Sequence, residues 1–209
     1  MAFTRFGALV ALSILTLSLH RCGVPDHLAE KELVRFVQSE KNGLTEEKEV
    51  DGIVIKVSYR PTDLMVAQEL RNQAKPTEEA IVKARNKYQG HYYFTVSLSK
   101  DSKELISPSN QGLSSFSDLL QTISFRMSEI VNLTTGKDTI HVADYIYNRT
   151  FSLGSSTDML FVFEKSKAIG KEYVQFNLNE FGLGIGKQSF QFKTVDLNSA
   201  PKIFQPYQP

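Results

Sequence analysis

The second half of the chain is dominated by short segments in which apolar and polar residues alternate. In HYYFTVSL, residues 91–98, every second residue from Tyr92 to Leu98 is apolar. The same period of two returns at residues 174–178 and 190–193, and the run MLFVF at 159–163 is apolar throughout. A period of two is the pattern of a half-buried strand, and a wholly apolar run is typical of a central strand between two layers. These segments, separated by turn residues, predict a mostly antiparallel, β-sandwich-like sheet.

A hairpin is predicted before this series of strands. Asp51-Gly52 is a strong two-residue hairpin signal, because both positions of a type I′ turn need positive φ. Counting outward from the turn places Glu47 opposite Lys56, which is a favourable cross-strand pair. The first strand, TEEKEV, is almost wholly polar, as is typical of an edge strand that charge protects from aggregation.

Two helices are predicted between the hairpin and residue 90. The first places Val66, Leu70 and Ala74 at i, i+4 and i+8, on one face. Pro76 interrupts this helix, and Thr77 can cap the second one.

These elements predict one α+β domain over residues 32–200: a short N-terminal hairpin and two helices, followed by the sheet, with a helical turn at 116–120. Residues 22–31 are mostly polar and include Pro25, which predicts a tether, and three prolines between 201 and 209 predict a surface tail. With a single cysteine there is no disulfide framework, so the core must hold the domain. A chain of this length buries roughly 70% of its unfolded surface, which is enough.

The charge balance argues against one class of partner. The chain carries 24 Lys and Arg against 23 Asp and Glu. Nucleic-acid-binding domains have a strongly basic footprint, so no nucleic acid is predicted as a partner.

The first 21 residues have the pattern of a secretory signal peptide. Arg5 precedes an uncharged apolar run from Ala8 to Leu19. That run is shorter than the roughly 20 residues needed to span a bilayer as a helix. A basic start followed by an apolar segment of this length is typical of a signal peptide, so residues 1–21 are excluded from the mature domain.

The stretch LSLHRCG, residues 17–23, resembles the signal of a bacterial envelope lipoprotein. In that family a cysteine directly after the apolar segment receives a diacylglyceryl thioether and becomes the mature N-terminus. Leu19 matches the family's aliphatic residue three positions before the cysteine, whereas His20 and Arg21 differ from its preferred small residues. The resemblance implies that Cys22 is the lipid-attachment residue, which explains why the single cysteine lies here.

The same resemblance implies a location. Acyl chains such as palmitate on Cys22 would make the lipid bilayer its partner, because each buried methylene contributes about 0.8 kcal/mol and two or three chains anchor stably. Residues 22–31 would then be a lipidated tether. Gly23, rather than an aspartate, after the cysteine implies sorting to the outer membrane, on its periplasmic or its external face.

One glycine-rich segment invites comparison with phosphate-binding loops. Gly182–Lys187 reads GLGIGK, but it lacks the four residues between glycines and the Ser or Thr after the lysine that a P-loop needs. A strand-like segment follows it. A glycine-rich β turn or bulge is therefore favoured.

The histidines predict no local metal site. His141 and Asp144 are three positions apart on a predicted strand, so they point to opposite faces and cannot chelate one ion. A site that gathers His91 or His141 with distant carboxylates is left open. The flanking pattern of a nucleophile elbow is missing at Gly154-Ser155-Ser156, and no catalytic, cofactor-binding or metal-binding residue is predicted.

Aromatic residues also occupy the opposite side of two predicted strands. Tyr93 lies with His91 on one of them, and Tyr145 lies with Tyr147 on the other. A second core layer is the favoured interpretation, because a sandwich has two inner faces. An exposed tyrosine patch for a partner protein or a glycan is the alternative.

These features favour a membrane-anchored lipoprotein that acts as a non-catalytic binding or accessory module of the bacterial cell envelope, with an envelope protein or glycan as its partner. Two alternatives stay open. One is an envelope hydrolase or metal-dependent enzyme with a site assembled across the fold. The other is a structural subunit of a secretion or motility assembly.

Overall fold

Helices and strands follow the predicted order, with the hairpin and two helices before most of the strands. The structure is a computed structural model that describes residues 25–106, 113–149 and 154–204. Its α-helices are α1 Glu30–Gln38, α2 Thr62–Glu69, α3 Glu78–Tyr88, α4 Leu113–Phe125, α5 Met127–Ile130 and α6 Thr194–Asn198. Its strands are β1 Thr45–Val50, β2 Ile53–Tyr59, β3 His91–Lys100, β4 Lys103–Glu104, β5 Val131–Thr135, β6 Asp138–Asn148, β7 Thr157–Glu164, β8 Tyr173–Leu178 and β9 Gln188–Lys193.

Neighbouring strands pair antiparallel in the order β1-β2-β3-β7-β6-β5-β8-β9, with β4 paired to the end of β3. Strand β6 belongs to both halves of this sheet, because residues 138–141 pair with β5 and residues from Val142 onward pair with β7. The register shifts between Val142 and Asp144, and a bulge of this kind bends a strand. The sheet therefore folds into two facing layers, which confirms the predicted α+β class with a sandwich-like sheet.

An aromatic cluster fills the space between the layers. The ring centroid of Phe94 on β3 lies 5.1 Å from that of Phe192 on β9 and 5.6 Å from that of Phe176 on β8. Phe161 and Phe163 on β7 both lie 5.9 Å from Phe176. All five side chains are buried, and each such burial contributes about 1.5–3 kcal/mol. The alternating apolar positions of the sequence thus form the core.

The hairpin forms as predicted. Asp51 and Gly52 have φ of 50° and 76°, as the type I′ turn requires. Glu47 pairs with Lys56 in register, and their side chains form a 2.7 Å ion pair. Strand β1 lies at one end of the strand order, so the polar strand is an edge strand.

Helices α2 and α3 confirm the two predicted helices, with one difference. The Thr77 side chain caps α3 by accepting a hydrogen bond from the Ala80 N–H. Val66 and Leu70 are buried, but α2 ends at Glu69 and Ala74 is exposed, so the prediction for Ala74 was wrong. Helix α2 is shorter than the i, i+8 pattern implied because its buried contacts stop at Leu70.

The helical turn predicted at 116–120 is part of a longer helix, α4. Leu119, Ile123 and Met127 are all buried at i, i+4 and i+8, and this spacing carries the helical stretch into α5. Within the ranges that the structure describes, no helix is both long and apolar enough to cross a bilayer.

Strand β7 takes the central position that its apolar sequence predicts, between β3 and β6. Its burial differs between the two faces. Met159, Phe161 and Phe163 are buried on the inner face, whereas Leu160 and Val162 on the other face are half-buried.

The two ends of the described chain pair with each other. The Leu28 N–H donates to the Lys202 carbonyl, and the Lys202 N–H donates to the Asp26 carbonyl, both at 2.9 Å. The folded part therefore includes residues 26–31 and 201–204, which the sequence assigned to a tether and a surface tail. Single backbone bridges of this kind have no sequence periodicity that could reveal them. The rest of the predicted tether and tail, at 22–24 and 205–209, lies outside the described residues.

Candidate functional site

The predicted lipid-attachment residue lies outside the described part of the chain. This holds for Cys22 and for the signal peptide at residues 1–21. Gly23, which implied the outer membrane, is outside it as well, whereas the glycine-rich loop, the two histidines and the tyrosines are described.

The glycine-rich loop between β8 and β9 binds an anion that the chain itself supplies. One carboxylate oxygen of Glu180 accepts backbone N–H bonds from Gly182, Leu183 and Gly184 at 2.7–2.9 Å, and the other accepts one from Gly186 at 2.6 Å. The three glycines have φ of 104°, 73° and 63°, and successive N–H groups turned inward form an anion-binding nest. Although partial burial opposes it, these bonds hold the pKa of Glu180 below its usual value. The favoured glycine-rich turn is confirmed, and its occupant is a carboxylate of the same chain.

The two histidines are not gathered into a metal-binding group. His91 begins β3 opposite Glu164, and its buried Nδ1 has no hydrogen-bond partner among the described residues. His141 is exposed on β6, opposite Asn132. Across residues 25–106, 113–149 and 154–204, no three His, Cys, Asp or Glu side chains converge so that they could hold a metal ion.

The tyrosines pack into the structure, as the favoured interpretation predicts. Tyr93 is buried and meets Tyr88 of α3 edge-on, with ring centroids 5.8 Å apart. Tyr145 stacks on Phe161 at 5.7 Å, and Tyr147 is half-buried. These residues therefore do not form an exposed tyrosine patch.

A cleft of about 190 Å³ lies between the ends of β2 and β7, the start of α2, the end of α3 and the C-terminal segment 197–202. The elements that line it are far apart in sequence, and tertiary packing brings them together. Both charged and hydroxyl-bearing side chains line the cleft, so we regard it as the candidate functional site.

One wall of the cleft is held by a buried ion pair. Asp63 accepts two hydrogen bonds from the Arg85 guanidinium, at 2.8 and 2.7 Å, and two more from the backbone N–H groups of Ile203 and Phe204. The Asp63 side chain is 4% exposed, and that of Arg85 is 20% exposed. Burial acts to raise the pKa of Asp63, but the bonds from Arg85 and from the two backbone groups outweigh it and hold this pKa below its usual value. The pair therefore stays ionised and pins the C-terminal segment against α2 and α3.

Lys165 supplies a cation without an acidic partner. It follows β7 directly, and its backbone N–H donates to the Gly90 carbonyl at 3.0 Å. The neighbouring carboxylate of Glu164 is bound to Ser166 and lies 3.4 Å from the Lys167 ammonium. No Asp or Glu of the described chain forms an ion pair with Lys165, and burial lowers the pKa of its ammonium. A half-buried cation without an anion is a candidate ligand-binding group.

Tyr59 supplies a hydroxyl group at the same cleft. The residue is 3% exposed and lines the cleft at the end of β2. In the part of the chain that the structure describes, this hydroxyl forms no hydrogen bond, and its oxygen is not fully enclosed, so a ligand can reach it. Burial, and then the nearby Tyr92 and Tyr93, raise the pKa of Tyr59 far above its usual value, so the hydroxyl stays a donor. An accessible hydroxyl without a partner at a cleft is a donor that a ligand can use.

The ring of Tyr92 joins these two groups. The Lys165 Nζ lies 5.4 Å from the centroid of this ring, and the Tyr59 ring meets it edge-on at 5.8 Å. Burial raises the pKa of the Tyr92 hydroxyl, and the nearby Asn198 of α6, which also lines the cleft, acts against this shift. The Lys165 ammonium and the Tyr59 ring therefore contact the same aromatic residue, which is buried.

The sequence did not single out this site. Lys165 is one of 24 basic residues, and nothing in its local pattern marks it. Tyr59 and Asp63 were not expected in a cleft either.

Comparisons with known proteins add little to this geometry. No protein-family model matches the chain, and a search of curated proteins found no match. Among solved structures, a DUF4426 family protein from Pseudomonas aeruginosa PAO1 is similar at 10% sequence identity and a TM-score of 0.35, over 71% of this chain and 91% of that one. A likeness at this level identifies no family for the chain.

Proposed function

We propose that this chain is a lipoprotein of the bacterial cell envelope, anchored through acylated Cys22, and that its folded domain is a binding or accessory module without catalysis. The anchor is supported by the apolar run before the single cysteine and by Leu19 at the position that the lipoprotein family uses. Gly23 after the cysteine supports the outer membrane as the location.

The binding role rests on one observation, which is the cleft at the C-terminal segment. It holds the half-buried ammonium of Lys165 and the hydroxyl of Tyr59, and within the described residues the first forms no ion pair and the second no hydrogen bond. The cost of burying such groups is offset when a ligand pairs with them.

The anchor is tested by mass spectrometry and by cell fractionation. Intact protein extracted from membranes of the native host should begin at residue 22 and carry acyl mass. The Cys22→Ala variant should leave the membrane fraction, because it lacks the thiol that forms the thioether. A bare Cys22 in the native protein, or a variant that stays in the membrane fraction, would contradict the anchor.

The binding role needs a separate experiment. The full chain is cross-linked in its native host, as the wild type and as Lys165→Met, and is then extracted in mild detergent. Capture of one defined envelope protein or glycan by the wild type, and its loss in the variant, would support a binding module at the cleft. Turnover of an envelope polymer by the purified protein would show an enzyme instead.

A further inference from the structure

The chemical class of the ligand can be argued from the charges at the cleft. Four charged side chains line it: Asp63, Arg85, Lys165 and Lys202. Asp63 and Arg85 neutralise each other in their bidentate pair. The two lysines remain, so the cleft carries an excess of positive charge, and an anionic ligand is favoured.

The donors that line the cleft match a small planar anion. Tyr59 and Lys165 both line it, and they offer one hydroxyl donor and the charge-assisted donors of an ammonium. A carboxylate has two oxygens for these two groups. A phosphate has a third and a fourth oxygen and a greater charge. Among the described residues, the cleft has no second buried cation without an acidic partner that could oppose this charge.

The size of the cleft limits how much of a ligand enters it. Its volume, about 190 Å³, is below the roughly 300–1,000 Å³ of sites that enclose a whole drug-sized ligand. The cleft therefore takes a small acid or the end of a longer molecule.

Resting on the proposed function, we infer that this cleft binds a carboxylate group, with the Lys165 ammonium opposing its charge and the Tyr59 hydroxyl donating a hydrogen bond to one oxygen. The aromatic ring of Tyr92 positions both groups before the ligand arrives. A free small acid and the C-terminal carboxylate of a peptide share this chemistry, and the experiment separates them.

The test is an NMR titration of the full chain in detergent micelles, at constant ionic strength. The probes are acetate, N-acetyl-Ala-Ala, the C-terminal amide of that dipeptide, and inorganic phosphate. We expect saturable shifts at the backbone amides of Tyr59, Lys165 and Asn198 with the carboxylates. If acetate binds with the same affinity as the dipeptide, the ligand is a free small acid. If the dipeptide binds with clearly higher affinity, the ligand is the C-terminal end of a peptide.

Three variants test the assigned roles. Lys165→Met should weaken carboxylate binding about tenfold or more, because it removes a charge-assisted bond. Tyr59→Phe keeps the ring and removes the hydroxyl, and it should weaken binding about fivefold. Lys137→Met, at an exposed turn that does not line the cleft, should bind as the wild type does.

Several results would overturn the inference. These are a lack of saturable shifts with either carboxylate, equal binding of the dipeptide and its amide, tighter binding of phosphate than of acetate, or wild-type affinity in Lys165→Met. A failure here is separable from a failure of the anchor, because Lys165→Met leaves Cys22 intact and Cys22→Ala leaves the cleft intact. A wild-type melting temperature in Tyr59→Phe and Lys165→Met shows that any loss of binding is not loss of folding.

Discussion

Replacing Asp63 by Asn should destabilise the protein strongly, although it changes one atom. The carboxylate accepts four hydrogen bonds at 2.7–3.2 Å and is 4% exposed. The amide keeps one acceptor oxygen but turns an N–H donor toward donors, and it leaves the Arg85 charge without its counter-ion.

The magnitude follows from the burial of the pair. Removing one partner of a buried ion pair costs about 3–5 kcal/mol. Arg85 is 20% exposed, so water partly compensates its charge, and we expect the lower end, about 3 kcal/mol in the free energy of unfolding. For a domain of this size each kcal/mol lowers the melting temperature by about 2–4 °C, so the expected loss is about 6–12 °C.

The assay is urea denaturation followed by circular dichroism, with hydrogen exchange at the C-terminus. The backbone N–H groups of Ile203 and Phe204 lose their carboxylate acceptor, so their exchange should accelerate more than that of the β3 amides. Asp118→Asn is the matched control, because Asp118 is exposed and its substitution should change stability by at most about 0.5 kcal/mol.

The pH dependence gives an independent check. The pKa of Asp63 is lower in the folded state than in the unfolded chain, so its contribution is fully present above the unfolded value of about 3.9 and is lost as pH falls through the folded pKa. The difference in stability between the wild type and Asp63→Asn should be constant from pH 7 to about pH 5 and shrink below pH 4.

The reasoning fails if Asp63→Asn lies within about 1 kcal/mol of the wild type at pH 7. A double-mutant cycle with Arg85→Gln adds a second criterion, since removing both charges should cost less than the sum of the two single changes. Strict additivity would mean that the two side chains do not act as a pair.

Three further predictions concern the loop, the hairpin and the core. Glu180→Gln should speed amide exchange in the loop that it binds and lower the free energy of unfolding by about 1 kcal/mol at neutral pH, a figure discounted because Glu180 is exposed. The pKa of Glu180 is lowered in the folded state, so its contribution to stability is present above the usual glutamate pKa and is lost as pH falls through the folded pKa. Unchanged amide exchange would contradict the nest. Gly52→Ala should cost about 1–2 kcal/mol in thermal denaturation, because φ is 76° there, whereas Gly90→Ala, where a Cβ meets nothing within 4 Å and φ is not left-handed, should cost almost nothing; equal effects would refute the assignment to backbone strain. Phe94→Ala should cost about 3–5 kcal/mol in urea denaturation, and a loss below about 1 kcal/mol would mean that the two layers do not meet at this ring.

Local patterns in the sequence were enough to predict the hairpin, the starts of helices α2 and α3 and the buried faces of several strands. The positive φ at Asp51 and Gly52, the pairing of Glu47 with Lys56 and the Thr77 cap all depend on residues a few positions apart. Strand alternation selected the inward-facing side chains for the same reason, because a strand's own geometry sets which residues share a face. These are properties of short backbone segments, so no knowledge of the fold was needed.

Tertiary structure alone decided where the cleft lies and which residues line it. Lys165, Tyr59 and Asn198 come from three distant segments, and their proximity depends on how β6 bends and on how residues 201–204 pair with Asp26 and Leu28. The burial of Asp63 likewise requires Arg85 and the C-terminal backbone to arrive together. Sequence periodicity reports the environment of one element at a time, whereas a site assembled from several elements is set by the packing of side chains between them.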